Sequence, residues 1–187
     1  KKYPQSFVEC GVAEQNMMGI AAGLALYGKI PFVSSYAVFS PGRSWDQLRV
    51  SVCYSEANVK IIGAHTGVSV GPDGATHQAL EDIAITRVLP NLTVVIPCDS
   101  IQAKQATVAV GRMQGPAYVR LTREKTPVMT TPETPFEIGK AQIFREGKDV
   151  AIIGSGPVLY NGILAAIELE KEGISVMVVN NHTIKPI

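Results

Sequence analysis

Short apolar runs alternate along this chain with longer amphipathic stretches, the pattern of parallel strands joined by crossover helices. Phe7 to Cys10 reads as a short strand. Glu14 to Tyr27 reads as a helix rich in Ala, Met, Leu and Ile that closes at Gly28. Its apolar residues run nearly all the way round, which predicts burial on several sides. Ile30 to Ser35 follows as a strand, then Ser44 to Glu56 as an amphipathic helix with Ser44 placed to cap it. Val59 to Ala64 is a strand, and His65 to Thr76 a long loop punctuated by Gly67, Gly71, Pro72 and Gly74. Gln78 to Leu89 reads as a helix stopped by Pro90, and Leu92 to Pro97 as a strand. Asp99 or Ser100 caps a helix to about Met113, and Ala117 to Thr122 is the last strand of this block.

Periodicity then fades. Residues 126–148 carry Pro127, Pro132 and Pro135 and read as a linker between a first domain, 1–125, and a second, 149–187. In the second, Val150 to Ile153, a helix to about Lys171 and Ile174 to Val179 make one further strand–helix–strand unit. One such unit is a small core, so the second domain is expected to be truncated. The missing initiator Met and the stop after a strand-like run predict a fragment or a processed chain. The fold expected is α/β: a three-layer parallel sheet with helices on both faces, followed by the truncated second α/β domain.

Composition narrows the function classes. Lys plus Arg is 17 and Asp plus Glu is 16, a formal charge of +1, so no basic excess points to nucleic acid or an anionic membrane. No apolar run reaches the ~20 residues that span a bilayer. Cys10, Cys53 and Cys98 are odd in number and far apart, which predicts reduced, packed thiols and a cytoplasmic setting rather than a disulfide framework or a metal site.

Several segments hold candidate chemistry. Gly154-Ser155-Gly156 follows a strand and opens a helix, but it lacks a third glycine and the next strand ends without an acid, so a tight turn is expected in place of a dinucleotide site. Glu14 opens an apolar helix. It is either an acid placed to suit the helix dipole or a partly buried acid–base group at the sheet's carboxyl edge. Tyr36 and Phe39, just past a strand, are core aromatics or a stacking wall for a flat ring. The loop holding His65, Asp73 and His77 gathers groups suited to hydroxyl or phosphate recognition and proton transfer. Arg123, beyond the last strand of the block, is a solvated cation or an anion clamp at the same edge.

Taken in order, Phe7-Val8-Glu9-Cys10-Gly11-Val12-Ala13-Glu14-Gln15-Asn16-Met17, then Asp73-Gly74-Ala75-Thr76-His77-Gln78-Ala79-Leu80-Glu81-Asp82, then Leu89-Pro90-Asn91-Leu92, the first 125 residues resemble the pyrimidine-binding domain of transketolase. The tail ending Thr183-Ile184-Lys185-Pro186 is similar to the start of that family's C-terminal domain. The resemblance implies a transketolase component that moves a two-carbon ketol unit between sugar phosphates with thiamine diphosphate. Glu14 would hydrogen-bond the pyrimidine ring nitrogen and serve as the proton relay. Tyr36 and Phe39 would form the aromatic wall, and His77 would stand near cofactor and donor. His65 and Arg123 would hold the sugar phosphate, and Asp73 would read the donor's hydroxyl stereochemistry.

The family holds the diphosphate and its Mg²⁺ or Ca²⁺ through a Gly-Asp-Gly run and a downstream Asn in a separate N-terminal domain. Asp73-Gly74 is not that run, and this chain is expected to contribute no metal ligand. The resemblance therefore implies an N-terminal subunit or domain as partner, a homodimer through the pyrimidine-binding domain and, for a split enzyme, a heterotetramer. Tyr36 where phenylalanine is common, and Pro72 before Asp73, depart from the pattern. The alternatives are a 1-deoxyxylulose-5-phosphate synthase-type enzyme, which shares several of these elements, and a non-catalytic dimerisation module of the same fold.

Overall fold

The computed structural model describes residues 2–187. Among the described residues, five α-helical segments, α1 (Glu14–Leu26), α2 (Trp45–Gln47), α3 (Asp82–Arg87), α4 (Ser100–Arg112) and α5 (Leu159–Lys171), accompany eight strands. The strands are β1 (Phe32–Tyr36), β2 (Lys60–Ala64), β3 (Thr93–Val95), β4 (Ala117–Arg120), β5 (Gln142–Arg145), β6 (Val150–Gly154), β7 (Val176–Asn180) and β8 (Thr183–Lys185). The main sheet runs β1-β2-β4-β3-β8. Its first four strands are parallel and β8 joins antiparallel at the edge.

Alternation along these strands builds two layers, because successive side chains leave a strand on opposite faces. Ile61, Val94 and Tyr118 pack with Met18, Leu48 and Val52 on one face. Val95, Ala117 and Val119 pack with Ala106 and Val110 of α4 on the other. The buried ammonium of Lys60 donates to the carbonyls of Met113 (3.1 Å) and Gly115 (2.6 Å), beyond the C-terminal end of α4, where a cation suits the helix dipole. A second sheet, β5-β7-β6, carries α5 over a small core of Leu159, Ala166, Val176 and Val178.

The three-layer α/β architecture is as the pattern predicts, with local corrections. Phe7 to Cys10 forms no strand: Phe7 and Val8 lie exposed, and Gly11 turns the chain at φ 64°. Helix α1 buries Met18, Ala21 and Ala22 but leaves Leu24, Leu26 and Tyr27 exposed, so it is covered on one side rather than several. Ser44 makes no side-chain cap bond, and beyond α2 the helix widens into a π segment over Leu48–Tyr54. The helix expected from Gln78 starts only at Asp82, since residues 78–81 tie down the preceding loop. Gln78 Nε2 donates to the Val68 carbonyl at 3.2 Å, and Gly67 N–H donates to Ala79 O at 2.9 Å.

Residues 126–148 are more than a linker, because β5 lies within them and pairs antiparallel with β7. The chain also returns after β7: β8 crosses back to the main sheet and pairs with β3. Gly156 makes the expected tight turn. Its φ is +74° and an added Cβ would sit 2.9 Å from Ile96 Cγ2, so this turn abuts the end of β3.

Candidate active site

Parallel pairing aligns the ends of neighbouring strands. Tyr36 is registered with Ala64, and Gly63 with Arg120, so the loops after β1, β2 and β4 leave one carboxyl edge together. These loops carry Tyr36 and Phe39, His65 to His77, and Arg123, and the N-terminus of α1 brings Glu14 against the first of them. Open parallel sheets place ligands at this edge.

Glu14 is the first residue of α1 and its carboxylate is nearly enclosed. Oε2 accepts from Arg43 Nη1 at 2.9 Å, and Ser35 Oγ lies 3.5 Å from Oε1. Both partners come from β1 and the turn behind it, so this acid faces the sheet edge. The guanidinium of Arg43 also lies over the Phe39 ring, 4.4 Å from its centroid.

An aromatic cluster adjoins this pair. Tyr36 and Phe39 are near-parallel at 6.2 Å, with Tyr36 stacked on His65 at 4.0 Å. His77 presents an edge to both, 5.7 Å from Tyr36 and 5.3 Å from Phe39, and Thr76 Oγ1 lies 2.9 Å from His77 Nδ1. His65 takes a left-handed backbone (φ 56°), and its Nδ1 is buried with no protein partner. A strained, orphaned donor–acceptor is a feature of sites built to meet a ligand.

Asp73 and Arg123, read separately in sequence, meet here. Arg123 Nη1 lies 3.4 Å from Asp73 Oδ2 and also donates to the Val70 carbonyl, with both side chains about one-third exposed (35%/35%). An arginine held by one partly open carboxylate and a loop carbonyl keeps donors for an anion at the rim.

The sequence reading missed four residues around this edge. Arg43 is one. The others form a largely buried triad: Asp82 Oδ2 accepts from Tyr118 OH at 2.7 Å and from Nε of the partly exposed Arg120 at 2.8 Å. Burial, and then the facing Asp82 carboxylate, push the Tyr118 phenol well above its usual range. The triad needs Gly63, whose added Cβ would sit 2.3 Å from Tyr118 OH. Asp82 stood within the matched motif, so its identity was visible; its partners come from β4 and were not.

Among the described residues, no three His, Cys, Asp or Glu side chains gather as a metal site, and no helix is long and apolar enough to cross a membrane. In the Gly154–Gly156 turn, Ser155 Oγ donates to Asn181 O at 2.6 Å.

Comparison with known proteins extends the picture. Residues 1–129 match the family described as transketolase, pyrimidine binding domain, and residues 139–187 match transketolase, C-terminal domain. The whole chain is 44% identical to a Methanocaldococcus jannaschii protein described provisionally as a transketolase C-terminal section, of which it spans 60%. It is 41% identical to a Clostridium sp. protein described as 6-deoxy-6-sulfo-D-fructose transketolase subunit SqwH, spanning 58% of it. A solved structure described as a split gene transketolase, inactive beta4 tetramer, superposes with TM-score 0.92 at 44% identity, over 99% of this chain and 60% of that one.

Proposed function

The chain belongs to the transketolase family, and we propose that it is the pyrimidine-activating component of a thiamine-diphosphate-dependent transketolase that moves a two-carbon ketol unit between sugar phosphates. The observation that carries this reading is Glu14: an enclosed carboxylate at the sheet's carboxyl edge, joined through Arg43 to the ring of Phe39, which stacks near Tyr36. The residues suit the pyrimidine end of the cofactor. The ring needs a stacking face and a carboxyl group that can place a proton at its ring nitrogen, and Phe39 and Glu14 supply both. Bound there, thiamine diphosphate would supply the electron sink for breaking and making the ketose carbon–carbon bond.

The chain's own residues then divide the work. Glu14 holds a proton at the pyrimidine nitrogen. His77, edge-on to the wall, stands where it can hold or move a proton at the donor's terminal hydroxyl. Arg123 and His65 hold the sugar phosphate at the rim, and Asp73, beside Arg123, reads a donor hydroxyl. The diphosphate and its Mg²⁺ or Ca²⁺ belong to an N-terminal partner subunit or domain, where the family resemblance puts the Gly-Asp-Gly run. The apolar residues that α1 leaves uncovered, Leu24 and Leu26 on its two flanks, support pairing of two copies through this domain.

The test is ketol transfer by the chain reconstituted with such a partner. Glu14→Gln should lose about 10²–10⁴-fold in turnover while the complex still assembles. Unchanged turnover in that variant removes Glu14 from the chemistry and the reading with it.

A further inference from the structure

The placement of Arg43 goes beyond an ion pair. Its guanidinium is a flat plate bearing N–H donors; it lies 4.4 Å over the Phe39 ring and donates to Glu14 Oε2 at 2.9 Å. A stacking face and a carboxyl group that can share a proton with a ring nitrogen are the two things an aminopyrimidine would ask of the same pair of residues. We propose that Arg43 occupies the berth of the pyrimidine ring between Phe39 and Glu14, and that it must swing out when the cofactor enters, so that this side chain sets cofactor affinity. This inference rests on the function proposed above.

The surroundings make Arg43 the partner that yields. The Glu14 side chain is 7% exposed and that of Arg43 48% exposed, so the carboxylate is fixed and the guanidinium has open solvent to enter. Its backbone does not need to move. Gly42 N–H donates to Ala37 O at 3.0 Å, and Arg43 N–H to Phe39 O at 3.0 Å. The turn is also sterically closed, since a Cβ at Gly42 would fall 2.0 Å from the Val38 carbonyl oxygen. Exchange is therefore a rotamer change, fast on the timescale of binding. Charge does not carry over: the guanidinium matches the carboxylate as a permanent cation, whereas a neutral ring nitrogen can meet Glu14 only with a proton shared between them. Entry of the ring thus gives up a half-exposed ion pair and a cation–π contact, together an affinity penalty of about 3- to 30-fold.

The experiment uses the reconstituted complex and measures the Kd of thiamine diphosphate with Mg²⁺ by titration calorimetry. Wild type is compared with Arg43→Met, which keeps an unbranched stem on Phe39 but cannot pair with Glu14. Tighter binding in the variant, by about 3- to 30-fold, is the expected result. An unchanged or weaker Kd overturns the proposal, the weaker one by making Arg43 a holder of the cofactor. If Arg43→Met does not assemble, Arg43→Gln is judged by the same criterion. Glu14→Gln separates the two layers. Full turnover in it sinks the proposed function; lost turnover in it, together with an unchanged Kd in the Arg43 variant, sinks only the role of Arg43.

Discussion

Replacing Asp99 by alanine should destabilise this chain more than any surface change, because one buried carboxylate joins two segments far apart in the chain. Asp99 Oδ1 caps α4 by accepting from Gln102 N–H at 2.8 Å. Oδ2 accepts from the N–H groups of Met129 (2.7 Å) and Thr130 (2.6 Å), and Thr130 Oγ1 lies 2.8 Å and 2.9 Å from the two oxygens. The residues beyond the first 125 are thus fastened to the mouth of α4. Loss of the cap costs about 1 kcal/mol. Each backbone N–H left buried and unpaired costs about 1–3 kcal/mol. Relief of the buried charge returns part of this, for a net of about 3–5 kcal/mol against a total that is typically about 5–15 kcal/mol.

Urea unfolding followed by circular dichroism reads the total, and hydrogen exchange at Met129 and Thr130 reads the fastening. Asp99→Ser should keep the cap and lose the fastening, so it should fall short of the alanine variant by about the 1 kcal/mol of the cap. A loss below about 1 kcal/mol in Asp99→Ala, with unchanged exchange at both amides, would refute the argument. The pH dependence follows from the same geometry. Burial works against the charge, but the hydrogen bonds from Gln102, Met129 and Thr130 outweigh it and hold the carboxyl below its ordinary 3.8. A depressed folded value gives stability that is present above the unfolded value and lost as pH falls through the folded one. The fastening should therefore hold at about pH 5 and loosen only below about pH 4.

Two further outcomes follow from the same geometry. Burial pushes the thiols of Cys53 and Cys98 up to about 12, while Cys10 is only half-buried, so N-ethylmaleimide near neutral pH should label Cys10 alone in the native chain; labelling at Cys53 or Cys98 without denaturant contradicts their burial. In the reconstituted enzyme, Arg123→Ala should raise KM about tenfold or more for phosphorylated sugars and far less for an unphosphorylated donor, and equal effects on both would remove Arg123 from the phosphate contact.

What the sequence makes legible here is local. Asp99 was readable as a cap because the cap bond spans three residues, and α4 because its apolar period is regular. The strand–loop order was readable for the same reason, and with it the gathering of Tyr36, His65 and Arg123 at one edge. The return of Thr183–Lys185 to pair with Val94 and Val95 was not, since a three-residue strand has no period and its partner lies far back in the chain. β5 failed for the same reason: Gln142–Arg145 is short, and only β7, more than thirty residues on, makes it a strand. The bare side of α1 escaped because apolar residues that run all round a helix mark no face as the exposed one. Arg43 could be read as a cation in a turn, but its direction depends on how residues 40–43 fold against Phe39 and α1.

The buried carboxylates show why Glu14, and not its neighbours, is the acid to which the proposed proton relay is assigned. Among the described residues, three acids are buried: Glu14, Asp82 and Asp99. Asp99 is satisfied by backbone N–H groups and one hydroxyl that cannot leave without unfolding the segment they belong to. Asp82 is held by Tyr118 OH and by Arg120, whose side chain is 16% exposed and anchored on a central strand. Both are structural arrangements, in which losing a partner strands a buried charge. Glu14 differs in one respect: its cationic partner is half in solvent, on a side chain whose backbone stays fixed when it moves. A carboxylate kept in place by the core and covered by a half-exposed cation can exchange partners without cost to the fold, which is what the proposed proton relay requires of it.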